Sequence, residues 1–453
     1  MPGILLALVL SAPPPLHEHA FRLDREAEAV AAITASCERC DWGAKGREAA
    51  VLTLAVDGVP SQHLVLFRGA PAGYRVLLGP LGAGPHRLAI ARDPKRSARR
   101  AGPVQVEAVA IEAVSAGEPG HEGLARAPIL HTRPGSLDRF SDVPLLAWVE
   151  TRAAADGGRE LRYSVVFSHE DGGTPLDRLM ATWGRATDIE LVYAVELDAE
   201  GRVRREEYQG KDHVIAPFRG RKEGRHPVLY VVTKNNLVRD RGRRTPRVTP
   251  APLPFSLDGA AREAVMDAHP WTYRVSGQEV RREGLVASRP GSKRIRDPRL
   301  FAYVEACAEV RDARIAFDLG FPAPGGGLRW VASDARGRDF RVGRGGCFRA
   351  AVAMPEGAAL GDARSLRFRA HTRPPHRGER ALPRGSGSAR LDRVTRLFGL
   401  GPDDAPGQSI FAWSAGAELR PDGDPLELPI GNSDAPARAA PHASGHSQQV
   451  HFD

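Results

Sequence analysis

Residues 51–57, 63–68, 74–78, 86–92 and 104–114 alternate apolar and polar positions or run apolar over short stretches. Turn formers separate them: Asp57-Gly58, Gly69, Pro71, Gly79-Pro80 and Gly82. A period of two marks strands, because successive side chains point to opposite faces. Short strands at such close spacing predict an antiparallel sandwich, assigned to residues 20–116. Ahead of it, residues 24–33 (DREAEAVAAI) place acids first and apolar side chains after them. With Asp24 as a cap, this pattern predicts a short helix.

Residues 115–122 (SAGEPGHE) predict a linker. A second region, 123–250, has strand patterns at 145–150, 161–168, 189–197 and 228–233. Between the second and third lies TPLDRLMATW, 174–183. Thr174 is a good N-cap, Pro175 suits the first helical position, and Asp177 sits where a capping box places its acid. Leu176, Leu179, Met180 and Trp183 then share one helical face, which predicts a buried stripe in a mixed α+β region. A proline-rich stretch, 246–254, predicts a second linker, and a helix is expected at 260–268. Strand patterns return at 300–304, 314–319, 328–332, 339–342, 347–353 and 365–371, within a β-rich unit at 255–372. Gly325-Gly326-Gly327 reads as a hairpin turn. The tail, 373–453, is rich in Pro, Gly, Ser, Ala and Arg and is expected to be largely disordered, with short ordered pieces at 391–400 and 409–413. The fold class expected is mainly β with some α: two antiparallel β-sandwich-like domains flanking a mixed α+β region.

The start of the chain bears on compartment. Residues 4–10 are apolar, followed by Ser11-Ala12 and three prolines. This resembles a secretory signal over 1–15, without a basic residue ahead of it. A buried first strand is the alternative, and the prolines argue against it. No other apolar stretch approaches membrane-spanning length. Four cysteines, Cys37, Cys40, Cys307 and Cys347, suit two disulfides paired in sequence order. Cys37-x-x-Cys40 also has the spacing of a redox pair or half a zinc site. A zinc site wants a second close pair, and a redox motif a βαβ unit, so a structural bridge is favoured. Cys307 and Cys347 bracket Trp330, an order found in immunoglobulin sandwiches at longer spacing. A secreted or periplasmic protein is therefore expected.

The net charge is +9, and all but six of the 64 basic residues are arginine. The basic residues are dispersed and often sit beside acids, as in Arg205-Glu206 and Arg282-Glu283. That dispersion argues against a nucleic-acid surface.

Candidate chemistry concentrates in 160–215. Ser168-His169-Glu170-Asp171-Gly172-Gly173-Thr174 leaves a strand and enters a helix, and Asp188-Ile189-Glu190 opens the next strand. Asp188 and Glu190 share a face of that strand. If the two strands are neighbours, Glu170 and Asp171 meet Asp188 and Glu190 across a cleft. Paired carboxyls serve glycosidic hydrolysis as acid and base or nucleophile. Carboxylates with an amide oxygen also suit Ca²⁺, and His213 is a candidate base or ligand beside Asp212. Glu-Asp-Gly-Gly is equally good turn chemistry, and an Arg185–Asp188 pair would be purely structural. No cofactor motif is present: Walker, His-Glu-x-x-His and EF-hand patterns are all missing. His442, His446 and His451 are candidate metal ligands, with a solvated tail the favoured alternative. Trp271 and Tyr273 offer ring faces for a sugar, although packing is the favoured role.

The Glu-Asp-Gly-Gly-Thr turn (170–174) followed by Gly-Arg-x-Thr-Asp-Ile-Glu (184–190) resembles a group of exported bacterial proteins of unknown function. The resemblance implies export and kinship in the middle region; it implies no activity. Two functions follow as expectations. One is an exported sandwich protein binding carbohydrate or another envelope ligand. The other is a secreted polysaccharide or ester hydrolase using the carboxylate cleft.

Overall fold

The computed structural model describes residues 14–291, 293–375 and 378–431. Residues 1–13 of the expected signal segment, and His442, His446 and His451, lie outside them.

The protein is mainly β. Seven strands open it: β1 (His17–Leu23), β2 (Ala27–Cys37), β3 (Ala50–Val56), β4 (Val59–Leu66), β5 (Ala72–Leu81), β6 (Gly84–Arg92) and β7 (Val104–Val114). They form two antiparallel sheets, β1-β6-β3-β4 and β5-β2-β7. Ile33, Trp42, Leu52, Leu66 and Leu88 fill the core between them. The helix expected at 24–33 is instead the start of β2, the central strand of its sheet. Ala31, Ile33 and Ala35 enter the first core, while Val30 enters that of the next unit. Burial on both faces selects the extended backbone and overrides alanine's helix preference.

The middle unit has a six-stranded sheet and a smaller one. The strands are β8 (Ile129–His131), β9 (Pro144–Ala153), β10 (Arg159–Phe167), β11 (Asp188–Leu197), β12 (Val203–Gln209), β13 (Ile215–Pro217), β14 (Lys222–Glu223), β15 (His226–Val231), β16 (Val238–Arg239) and β17 (Leu253–Pro254). The large sheet runs β13-β12-β11-β10-β9-β17, and β14-β15-β16 takes β8 onto β15. Its inner face carries Leu161, Tyr163, Phe167, Tyr193 and Val195. Residues 246–254 are not a linker. His63 donates its backbone N–H to Arg247 O at 2.7 Å, Ala251 donates to Arg75 O at 3.0 Å, and β17 pairs with β9. The stretch therefore ties the first sandwich to the middle sheet. A buried His226–Glu28 contact of 2.9 Å adds to that seam.

The last unit is again two packed antiparallel sheets. Its strands are β18 (Phe301–Arg311), β19 (Ala313–Pro322), β20 (Leu328–Ala332), β21 (Gly346–Ala353), β22 (Ser365–Thr372), β23 (Ser388–Phe398), β24 (Phe411–Trp413), β25 (Ala417–Leu419) and β26 (Leu426–Pro429). One sheet is β21-β18-β23-β24 with β25 also on β23, and the other β20-β19-β22-β26. The tail, expected to be largely disordered apart from 391–400 and 409–413, thus supplies four strands, two of them at those pieces. In β23, Ala389, Leu391, Val394 and Leu397 enter the core while Arg390, Arg393 and Arg396 lie between them in sequence. The spacing departs from strict alternation because irregularities in the pairing with β18 leave Asp392 and Thr395 unmatched, so no clean period of two marked the strand.

Both disulfides pair in sequence order, Cys37 with Cys40 and Cys307 with Cys347. Cys307 lies directly opposite Cys347 across β18 and β21. Trp330 sits in the other sheet, on β20. The bridge therefore staples neighbours within one sheet, whereas an immunoglobulin bridge crosses between sheets.

Candidate carboxyl-lined site

The strands β10 and β11 are neighbours, as the cleft required. Tyr193 opposes Tyr163 and Leu191 opposes Ser164, which leaves Val192 as the extra residue of a bulge. After the bulge Glu190 opposes Val165 and Asp188 opposes Phe167, on the inner face of the sheet. Ile189 points the other way, into a core with Trp148, Val265 and Met266.

Glu170, three residues beyond the end of β10, turns back toward this pair. Its carboxylate accepts the Thr174 N–H at 2.6 Å. The helix that follows spans Leu176–Trp183 and begins after Pro175, without a side-chain cap. Thr174 therefore does not cap it, and Asp177 pairs with Arg336 at 2.9 Å in place of closing a capping box. Leu176, Leu179 and Met180 bury their stripe against Phe301, Tyr303 and Phe398 of the last unit.

Glu170, Asp188, Glu190 and His213 line one cavity of about 270 Å³ together with Thr174, Trp183, Arg185, Gln209, Asn235 and Arg262. Asp188 is 2% exposed and Glu190 5%. Asn236 donates to Asp188 Oδ2 at 3.0 Å, and the Arg185 guanidinium lies 3.6 Å from Asp188 Oδ1. Arg185 also donates to Glu263 at 2.8 Å. Gln209 donates to Glu190 and meets His213 Nδ1 at 3.0 Å. His213 stands largely exposed at the mouth, its Nδ1 3.8 Å from Glu190.

Three buried carboxyls lining one cavity do not ionise together. Burial first, then the charge of Asp188, pushes Glu170 up to about 7. The same two causes raise Glu190 well above its ordinary range. Burial raises Asp188 as well, opposed by Arg185 and Asn236. Arg185 and Asn236 contact Asp188 directly, so the anion is held there, while Glu190 keeps its proton and Glu170 exchanges its own near 7.

Asp171 does not belong to the cleft. It accepts from Ser141 at 2.6 Å and from Arg133 and Arg139. Burial works to raise it, but these donors prevail and hold it below the usual range. Its neighbour Asp142 is raised to about 8, by burial and then by the charge of Asp171. Among the described residues no three His, Cys, Asp or Glu side chains converge as a metal site. Tyr273 is packed, donating to Asp267 at 2.6 Å, and Trp271 stacks on Phe67 at 5.3 Å.

Sequence reasoning missed Arg262 and Glu263. Arg262 lines the cavity and Glu263 pairs with Arg185, both from a segment more than 70 residues beyond Asp188, and no local spacing marks them. It also missed the cations around Trp183: Arg344 lies 3.5 Å from the ring centroid, Arg262 5.3 Å and Arg185 5.4 Å.

No family model matches the chain, and no curated relative matches it. Among solved structures it has partial likenesses to a family two carbohydrate esterase from Clostridium thermocellum in complex with cellohexaose and to an active site mutant of such an esterase. The first shares 16% identity over 26% of this chain and 30% of that one, the second 14% over 30% and 34%, both with a TM-score of 0.15. The chain thus spans about a third of the length of those structures. Overlaps this slight carry no argument about fold or activity. No helix among the described residues is long and apolar enough to cross a membrane.

Proposed function

We propose that the protein is an exported hydrolase of glycosidic bonds, with Glu170 and Glu190 as its acid–base pair. One observation carries the reading: Glu170, Asp188 and Glu190 line a single cavity, where Glu170 is raised to about 7 and Glu190 well above its ordinary range beside the Asp188 charge. Glu190 gives its proton to the leaving oxygen as the glycosidic C–O bond breaks. Glu170, titrating at about 7, takes a proton from the attacking water, whose oxygen bonds to the sugar carbon. Asp188 is engaged by Arg185 and Asn236, and its charge sets the other two; it is a positioning residue. Gln209, His213 and Asn235 offer hydroxyl-binding groups, and Trp183 a ring. The disulfides suit an oxidising compartment, which supports export.

The test is release of reducing ends from a panel of soluble polysaccharides and aryl glycosides by the full chain. Turnover that Glu190→Gln abolishes supports the reading; no turnover on any glycan, or an active Glu190→Gln, sinks it. A second reading, glycan binding without turnover, is favoured by the saturation of Asp188 by Arg185 and Asn236. Retained glycan affinity with no cleavage, in wild type and variant alike, would select it.

A further inference from the structure

A larger cavity lies elsewhere. It occupies about 470 Å³ where edge strands β4 and β5 of the first sandwich part, roofed by residues 143–146, 248–253 and 268–271. No residue lines both this cavity and the carboxyl-lined one. Well-packed interiors do not keep voids of this size, whereas small-molecule sites commonly have it.

Its lining is mostly apolar. Phe67 and Trp271, stacked ring on ring, form a flat aromatic wall, with Tyr74 edge-on to Phe67 at 5.7 Å. Two polar atoms in the lining residues are buried without a hydrogen bond of ordinary length: the Tyr74 hydroxyl, which only the backbone of Phe67 and Arg68 approaches, and His63 Nδ1. Tyr74 is 9% exposed. An orphaned buried hydroxyl is costly unless something else completes it.

The charges in the lining have one sign. No Asp or Glu contributes to it, and Arg68 and Arg75 do. Arg75 is neutralised by Glu112. The Arg68 side chain makes no hydrogen bond or ion pair among the described residues, and it lies near enough to Tyr74 to act on it electrostatically. Burial keeps His63 and His269 neutral. The polar equipment is therefore one unpaired guanidinium, one unpaired hydroxyl and one unpaired imidazole nitrogen.

We infer that this cavity is a binding site for a small monocarboxylate with a flat apolar body. The ring system lies against Phe67 and Trp271, and the carboxylate meets Arg68 and the Tyr74 hydroxyl. A guanidinium and a hydroxyl present donors to one anionic head, and the absence of any acid in the lining disfavours a cationic one.

The test uses the full chain and three probes with one body and different heads: 2-naphthoate, 2-naphthalenemethanol and 2-naphthylmethylamine, titrated by calorimetry. The carboxylate is expected to bind at least about tenfold more tightly than the alcohol or the amine. Arg68→Ala should bring it down to the alcohol's affinity and leave the alcohol unchanged, while Arg68→Lys restores part of the preference. Arg68 is not a core residue, so these variants report on the site without threatening the fold. Failure of 2-naphthoate to bind, equal affinity for all three probes, or a preference that survives Arg68→Ala would each overturn the assignment.

Discussion

Glu170→Gln makes the electrostatic account of the carboxyl cavity quantitative. The wild-type carboxyl is raised from its ordinary 4.5 to about 7, burial being the first cause and Asp188 the second. The folded protein therefore holds a proton over a pH range in which the unfolded chain has released it. Stability falls wherever the folded state binds more protons than the unfolded state and pH rises. The loss begins near the unfolded value of 4.5 and is complete above about 7. At 1.36 kcal/mol per unit, that interval is worth about 3 kcal/mol. Glutamine keeps an oxygen for the Thr174 N–H and has no proton to lose. The variant should match wild type at pH 4 and exceed it by about 3 kcal/mol at pH 8. Urea unfolding followed by tryptophan fluorescence at several pH values measures the gap, with Trp183 in the cavity wall as a local reporter. A gap that stays constant with pH, or that widens on acidification, would refute the argument.

Other expectations follow from the same geometry. Asp188→Asn removes the charge that raises Glu170 and Glu190, so the acidic limb of the pH–activity profile should move down by about one unit, read with any glycan substrate the screen yields. Replacing Cys307 and Cys347 by alanine frees a loop of 40 residues and should cost about 4 kcal/mol on the chain-entropy model. The Cys37–Cys40 bridge spans three residues and should cost about 2 kcal/mol by the same model, so comparative denaturation of the two double variants checks the ranking. Arg349 is fully buried between Asp267 and Glu305, and Arg349→Met should lower stability by about 3 kcal/mol, with Glu305→Gln recovering part in the double variant, as measured by denaturant midpoints.

How much of this was legible depended on the range over which each feature is written. Asp188 and Glu190 share a face because strand period alone requires it, and their meeting with Glu170 followed from two strands adjacent in sequence pairing in space. Asp171 was not separable from Glu170 in the sequence: one residue apart in the same turn, they leave it toward different partners. Arg262 and Glu263 arrive by tertiary packing and carry no local signature. The first helix failed because an alanine-rich segment takes its conformation from what surrounds it, here β5 and β7. In the tail, the ordered pieces at 391–400 and 409–413 correspond to β23 and β24, while β25 and β26 were missed because they are short and composition was weighed above pattern.

Gly184, which ends the helix beneath the cavity, adopts a left-handed turn at φ +58°. A Cβ there would stand 2.6 Å from Arg349 Cγ and 3.1 Å from Ala350 N, both on β21. The missing methyl lets the helix end seat directly on the backbone of the last sandwich, where Arg344 closes over Trp183. The helix that walls the cavity therefore rests on residues more than 150 positions downstream of the carboxyls. Expressed alone, the middle region would keep its acids and lose the surface on which their helix rests. Truncation series meant to isolate the chemistry will lose it on removing the C-terminal unit, even though that unit contributes none of the three carboxyls.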